Sequence, residues 1–358
     1  MFIKEDVLKA LSHVDDPDLN KDLVTLNMIR DIEIKDNELW FSVFLTTPAC
    51  PLKEMIETAC RNAISHFISP NIKVHIKMTA EVMADNKTTA QLPNVKNIIA
   101  IASGKGGVGK STVSASLAAI LNQYGASVGL LDADIYGPSI PLMFGVQNKG
   151  IEMVVEEGKE LMQPINADGV KLFSIGFLSK PDEAIVWRGP MISQALKQFI
   201  NGVNWGELDY LIIDLPPGTG DVQLTLVQTL PITGAVIVTT PQNMAISDAK
   251  RAAAMFAMPS INIPILGVIE NMAYFTPTDM PDKKYYIFGQ GGAQVLAEQF
   301  NTKVIGQLPI QENLMTDLDT GKISNSSSLK NFSEIAKRLA QSIAIQNSKN
   351  NNESASKG

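Results

Sequence analysis

One stretch constrains this chain more than any other: ASGKGGVGKST, residues 102–112, set between the apolar run NIIAIA and the segment KSTVSASLAAILNQYG. Gly104 to Ser111 fits the pattern G-x-x-x-x-G-K-[ST]. An apolar strand that turns through such a loop into a helix presents backbone N–H groups and a helix N-terminus to phosphate. Glycines are needed because the backbone must wrap the phosphate closely, with φ values that other residues resist. The pattern places Lys110 on the β- and γ-phosphates of ATP and Ser111 on Mg²⁺. Gly104, Lys105, Gly106, Gly107, Val108, Gly109 and Thr112 complete the loop around the nucleotide. Such a loop needs one lysine, so Lys105 is surplus to phosphate binding within the chain.

Acidic residues that hold magnesium and water should end neighbouring strands. YLIIDLPPGTGD supplies Asp214 after four apolar residues, the pattern of a Walker B strand. LLDADIYGPS supplies Asp132 and Asp134 at the end of another, aimed at the same sheet edge. Short apolar runs at 97–102, 127–132, 210–214, 235–240, 265–270 and 303–308 read as strands buried on both faces. That texture, with helical segments between, belongs to a parallel sheet covered by helices. The fold class expected is α/β: a P-loop NTPase with a mainly parallel sheet, helices on both faces, and a small α+β domain before it.

The small domain is expected over residues 1–82. A helix opens it, two β-rich runs flank the polar turn Lys35-Asp36-Asn37, and a helix beginning at Pro51 carries the stripe Leu52, Ile56, Ala59, Cys60, Ala63, Ile64 and Phe67. NIKVHIKMT supplies a third strand. Residues 83–95 lack apolar periodicity and read as a linker, 96–346 as the P-loop domain, and 347–358 as a disordered polar tail. Leu329, Phe332, Ile335, Ala336, Leu339 and Ile343 mark a terminal helix before that tail. The length of 358 residues suits two domains, and 45% hydrophobic with 19% charged residues supports a sizeable core. A net charge of −7 argues against non-specific nucleic-acid binding. No apolar run reaches the roughly 18–20 residues that span a bilayer. No signal-peptide pattern opens the sequence, and two cysteines give no disulfide framework. The chain therefore reads as cytoplasmic, with neither nucleic acid nor membrane as partner.

With these motifs on the page, the chain resembles the MinD/Mrp group of P-loop ATPases. KGGVGKST looks like their deviant Walker A motif, and DADIYGPSIPLMFG, DYLIIDLPPGTGD, TTPQ and GVIENM look like the Mrp/ApbC branch of iron–sulfur cluster carriers. DPDL and TTPACPLKEMI resemble the iron–sulfur-assembly-type domain that many of these carriers place before the ATPase. The resemblance implies a homodimer that sandwiches two ATPs, with Lys105 reaching across to the partner's phosphates as an arginine finger does. It implies that Asp134 positions or activates the attacking water, that Asp132 and Asp214 hold magnesium through waters, and that Asn271 reads the adenine. Apo iron–sulfur client proteins and assembly factors are the implied partners.

The pattern breaks at one place. Mrp-type carriers usually have a C-x-x-C pair after ENM, and two such pairs across the dimer supply four thiolates to a cluster. Residues 270–292 here contain no cysteine, and none follows Cys60. Cys60 lies in the apolar stripe of its helix and reads as a core residue. Cys50, expected at the helix N-cap where the dipole favours thiolate, is the candidate cluster ligand or reactive thiol. His13, His66 and His75 have no metal-ligand spacing. The alternative function, a MinD/ParA-like positioning or partitioning switch, wants a basic amphipathic C-terminus, and Glu334 interrupts Lys330, Lys337 and Arg338. A nitrogenase-reductase-like electron donor would need cysteines in the ATPase region.

Overall fold

Alternation decides the first sheet. The computed structural model describes residues 2–85, 92–135, 137–156, 158–178, 202–277 and 279–355, with backbone alone from 352. By contacts the chain forms two units, Met1–Met83 with Ala340–Gly358, and Ala84–Leu339. In the first unit, α1 (Lys4–Leu11) is followed by the hairpin β1 (Ile29–Lys35) and β2 (Glu38–Leu45), then α2 (Lys53–Phe67) and β3 (Lys73–Ala80). Leu39, Phe41, Val43 and Leu45 point to one face of β2 and meet Val7, Leu11, Ile56, Cys60 and Ile64 in one core. Asp36 makes the tight turn at φ +52, a left-handed conformation that aspartate tolerates. β1 and β2 run antiparallel, while β3 pairs parallel to β2 after the α2 crossover.

The second unit is built on continuous apolar strands. These are β4 (Ile98–Ala102), followed by α3 (Lys110–Gln123), β5 (Val128–Asp132), the hairpin β6 (Glu152–Glu156) and β7 (Lys159–Gln163), β8 (Ile165–Ala167), β9 (Val170–Ser174) and β10 (Tyr210–Asp214). α4 (Asp221–Thr229), β11 (Gly234–Thr239), α5 (Asn243–Phe256), β12 (Ile265–Phe275), α6 (Gly292–Gln299), β13 (Val304–Ile310), α7 (Glu312–Asp319) and α8 (Ser333–Ala355) follow. One sheet runs in the order β8-β9-β5-β10-β4-β11-β12-β13. Only the β8–β9 pair in it is antiparallel. Every residue of β4, β5, β10 and β11 is buried, as strands covered on both faces must be. Parallel strands carry their loops out at one edge, so the segments after β4, β5 and β10 meet there.

Three sequence expectations are corrected. α2 starts at Lys53 with Leu52 as its N-cap, so Pro51 lies before the helix and Cys50 is not the cap. Of the expected linker, residues 86–91 lie outside the described residues, but Leu92 and Val95 are buried in the core of the second unit. Two isolated apolar residues give no periodicity to read. The expected disordered tail is helical as far as Ala355, with residues 356–358 outside the description. Asn347 is fully buried and its Nδ2 donates to the Met83 carbonyl at 2.9 Å, a specific bond that polar composition cannot reveal. Gln346 and Asn350, four apart, pair along the same helix. Strands β8 and β9 and the β6–β7 hairpin lie in a stretch where no strand was expected from sequence. Among the described residues no helix is long and apolar enough to cross a membrane.

Ending the chain after Leu339 removes the buried Ile343 and Ala344 and the Asn347 bond from the first unit. The expected loss is about 2–4 kcal/mol of local stability, read as faster amide hydrogen exchange across residues 73–83, the stretch that ends at Met83. Unchanged exchange there would show that α8 contributes nothing to that unit.

Candidate functional site

The loop from Gly104 to Gly109 leaves the end of β4 and enters α3, whose N-cap is Gly109. Gly107 and Gly109 take φ +80 and +83, which only glycine adopts freely. No atom lies within 4 Å of where a Cβ would sit on Gly106 or Gly107, so the loop forms an open cradle. Its first residue is held tightly instead. A Cβ on Gly104 would lie 2.0 Å from the Asp248 backbone in α5. Ser103 Oγ donates to the Lys105 carbonyl at 3.1 Å, while the Lys105 side chain is exposed and makes no ion pair among the described residues.

At the end of β10 the Asp214 carboxylate is fully buried and takes three bonds from α3. Lys110 Nζ lies 2.8 Å from Oδ1, Ser111 Oγ donates to Oδ2 at 2.6 Å, and Ser114 Oγ donates to Oδ1 at 2.6 Å. Strand register places Asp132 beside Asp214. Asp132 is also fully buried, and accepts from Ser174 Oγ at 3.0 Å and the Asp134 amide at 3.2 Å. Burial, and then the neighbouring Asp214 carboxylate, push the Asp132 carboxyl up to about 8. Two adjacent buried carboxylates with an oxygen-only donor set, Ser111 included, fit a hard dication such as Mg²⁺. The open glycine cradle above the helix N-terminus fits phosphate. Asp134 lies half-buried two residues on, and Thr112 half-buried on the first turn of α3.

Asn271 comes to the same loop from β12. That strand bulges after Glu270, and Met272 takes φ +53, a left-handed conformation costly for methionine. The bulge lets Asn271 Nδ2 donate to the Val108 carbonyl at 2.9 Å. Asn271 therefore props the phosphate loop in this structure. Glu270, buried beside it, accepts from the Ala293 amide at the start of α6 and from Gln307 Nε2. Sequence reasoning missed Ser114, Ser174 and Glu270. The available signal was a small polar residue inside an otherwise apolar element.

Cys50 does not join this site. It lies among residues of the first unit's core, and burial pushes its thiol up, with Asp16 and Asp18 adding to the effect against one backbone N–H. The expectation of a thiolate at a helix N-cap is therefore corrected: desolvation outweighs the dipole, and the cap is Leu52. Cys60 is sealed in the core, its thiol pushed up to about 12. His66 is exposed on α2, and His75 faces Glu38 at 2.9 Å. Among the described residues no cluster of three histidine, cysteine or acidic side chains could hold a metal ion.

Comparison with known proteins agrees with this geometry. The model of the NUBPL iron-transfer P-loop NTPase family matches residues 94–344, and that of iron-sulfur cluster assembly proteins matches residues 4–76. An iron-sulfur cluster carrier protein of Synechocystis sp. is 45% identical over 356 residues, covering 96% of this chain and 99% of its own. One of Deinococcus radiodurans is 49% identical over 316 residues, covering 88% and 87%. Among solved structures, a nucleotide-binding protein from Archaeoglobus fulgidus in complex with ADP is 37% identical. It covers 70% of this chain and 97% of its own, with a TM-score of 0.59.

A raised thiol pKa has a direct readout. The rate of Cys50 alkylation by iodoacetamide should keep rising above the pH at which a free cysteine levels off, and Cys60 should stay slower throughout. A Cys50 rate that levels off near neutral pH would mean a stabilised thiolate and contradict its desolvation.

Proposed function

We infer the function from one premise: the chain belongs to the NUBPL iron-transfer P-loop NTPase family. We propose that it is a homodimer that binds and hydrolyses ATP to load or transfer iron–sulfur clusters, its cargo, to apo client proteins in the cytoplasm. The observation that carries the nucleotide half is the grip of Asp214 on Lys110 and Ser111 beneath an open glycine cradle. In this reading Lys110 binds the β- and γ-phosphates and Asn271 reads the adenine. Ser111 holds magnesium, with Asp132 and Asp214 acting through waters. Bound magnesium supplies positive charge that neutralises the phosphates and the paired carboxylates. Asp134 orients the attacking water and accepts its proton as the γ-phosphoryl group transfers and ADP leaves. The partner subunit's Lys105 adds charge stabilisation in the transition state, a role supported by its exposure and by its making no ion pair among the described residues.

The cargo half follows from thiol arithmetic. The whole chain has two cysteines, and neither lies in the ATPase unit. With Cys60 sealed, a dimer offers two Cys50 thiols to a cluster that takes four. A cluster bound by the dimer is therefore labile, held through Cys50, and completed by external thiols or by the client's cysteines.

Four experiments test this reading. Lys110→Ala should abolish nucleotide binding. Lys105→Ala should retain binding yet lose at least about 100-fold in hydrolysis, as loss of a finger supplied in trans does. Mixing Lys105→Ala chains with Asp134→Ala chains should recover activity that neither shows alone, because one composite site is intact. Proven heterodimers without recovery, beside a fully active Lys105→Ala protein, would remove Lys105 from catalysis. After anaerobic reconstitution with iron and sulfide, Cys50→Ser should lose bound iron and Cys60→Ser should keep it. A stable cluster that survives Cys50→Ser would refute Cys50 as ligand.

A further inference from the structure

Asp214 has more partners than its proposed role can keep. Lys110 and Ser111, two of its three side-chain donors, are the groups assigned above to phosphate and metal. When they engage a nucleotide, the fully buried carboxylate retains one protein donor among these three, Ser114. We propose that Ser114 is a positioning residue that holds Asp214 in its metal-ready orientation after Lys110 and Ser111 have turned to the nucleotide. This rests on the nucleotide reading proposed above.

The placement of Ser114 suits that task. It lies four residues after Lys110 on α3, so the lysine and the positioning hydroxyl ride on one rigid helix face. Its single proton has two acceptors in reach, Asp214 Oδ1 at 2.6 Å and the Lys110 carbonyl at 3.1 Å. The second is the ordinary back-bond of a helical serine. Choosing the carboxylate fixes Oδ1 against α3 and leaves Oδ2 on the side of Ser111. Unlike a lysine drawn toward phosphate, this hydroxyl has no competing anion to follow. A buried carboxylate without such a donor would be free to rotate away from the metal-ready orientation.

The test separates metal dependence from nucleotide binding. Binding of a fluorescent ATP analogue is measured in EDTA and then across a magnesium titration. Ser114→Ala keeps α3 intact, since alanine is the best helix former. In EDTA it should bind the analogue within about twofold of the parent, but need about tenfold more magnesium to reach the magnesium-bound affinity, as loss of a bond to a metal-holding carboxylate typically does. Ser116→Ala is the matched control. Ser116 is equally buried on α3, and its hydroxyl has no hydrogen-bond partner among the described residues, so its removal should leave the magnesium titration unchanged. A Ser114→Ala protein that titrates like the control, or weakens equally with and without magnesium, overturns the assignment while the nucleotide reading stands. A parent protein that does not bind the analogue overturns both.

Discussion

A buried negative charge has to be answered, and at Asp214 the answer organises the whole nucleotide site. The carboxylate ends β10 with no exposure to water, so its charge is tolerable only beside a cation and hydrogen-bond donors. Lys110, Ser111 and Ser114 supply them, all from the first turns of α3. Removing one partner of such a buried pair costs about 3–5 kcal/mol. That cost ties the end of one strand to the start of a helix and holds the glycine loop between β4 and α3 over the sheet edge. Asp132, one strand away, extends the same constraint. Its carboxyl is driven up by burial and then by the Asp214 carboxylate beside it, and this makes the pair a place for added positive charge.

The opposite wall of the loop is held by a different device. Strand β12 breaks its ladder after Glu270 and places Met272 in a left-handed conformation. Such strain persists only where the surroundings over-determine it. Here Glu270 is fixed by the Ala293 amide and Gln307, and Asn271 by the Val108 carbonyl. The phosphate loop is thus propped from β12 as well as gripped from β10. Gly104 closes the third side, because the backbone of α5 occupies the space a side chain would need.

The first unit works with a different chemistry. At its cysteines desolvation dominates: burial raises both thiols, and at Cys50 the charges of Asp16 and Asp18 add to it against one backbone N–H. A thiol kept protonated in this way is resistant to casual oxidation. A metal ion bound there would first have to displace that proton, as a coordinating cation does.

The sequence by itself determined the strand–loop–helix of the phosphate loop, six of the eight strands of the large sheet, and the acidic residues that end two of them. Apolar runs flanked by glycine and aspartate are local patterns, and local patterns survive in a linear string. Family membership was legible for the same reason, through KGGVGKST, LPPGTGD and TTPACP. Tertiary structure alone decided which donors reach Asp214. Ser114 looks like any small helical residue until α3 is laid across β10. It also decided the fate of Cys50, because desolvation depends on neighbours from distant segments such as Asp16 and Asp18. The asparagine-rich C-terminus reads as a solvated tail, yet Asn347 is buried and donates to a carbonyl 264 residues away in sequence. Composition scores a side chain by its average preference for water, and a single well-placed hydrogen bond in the fold overrides that average.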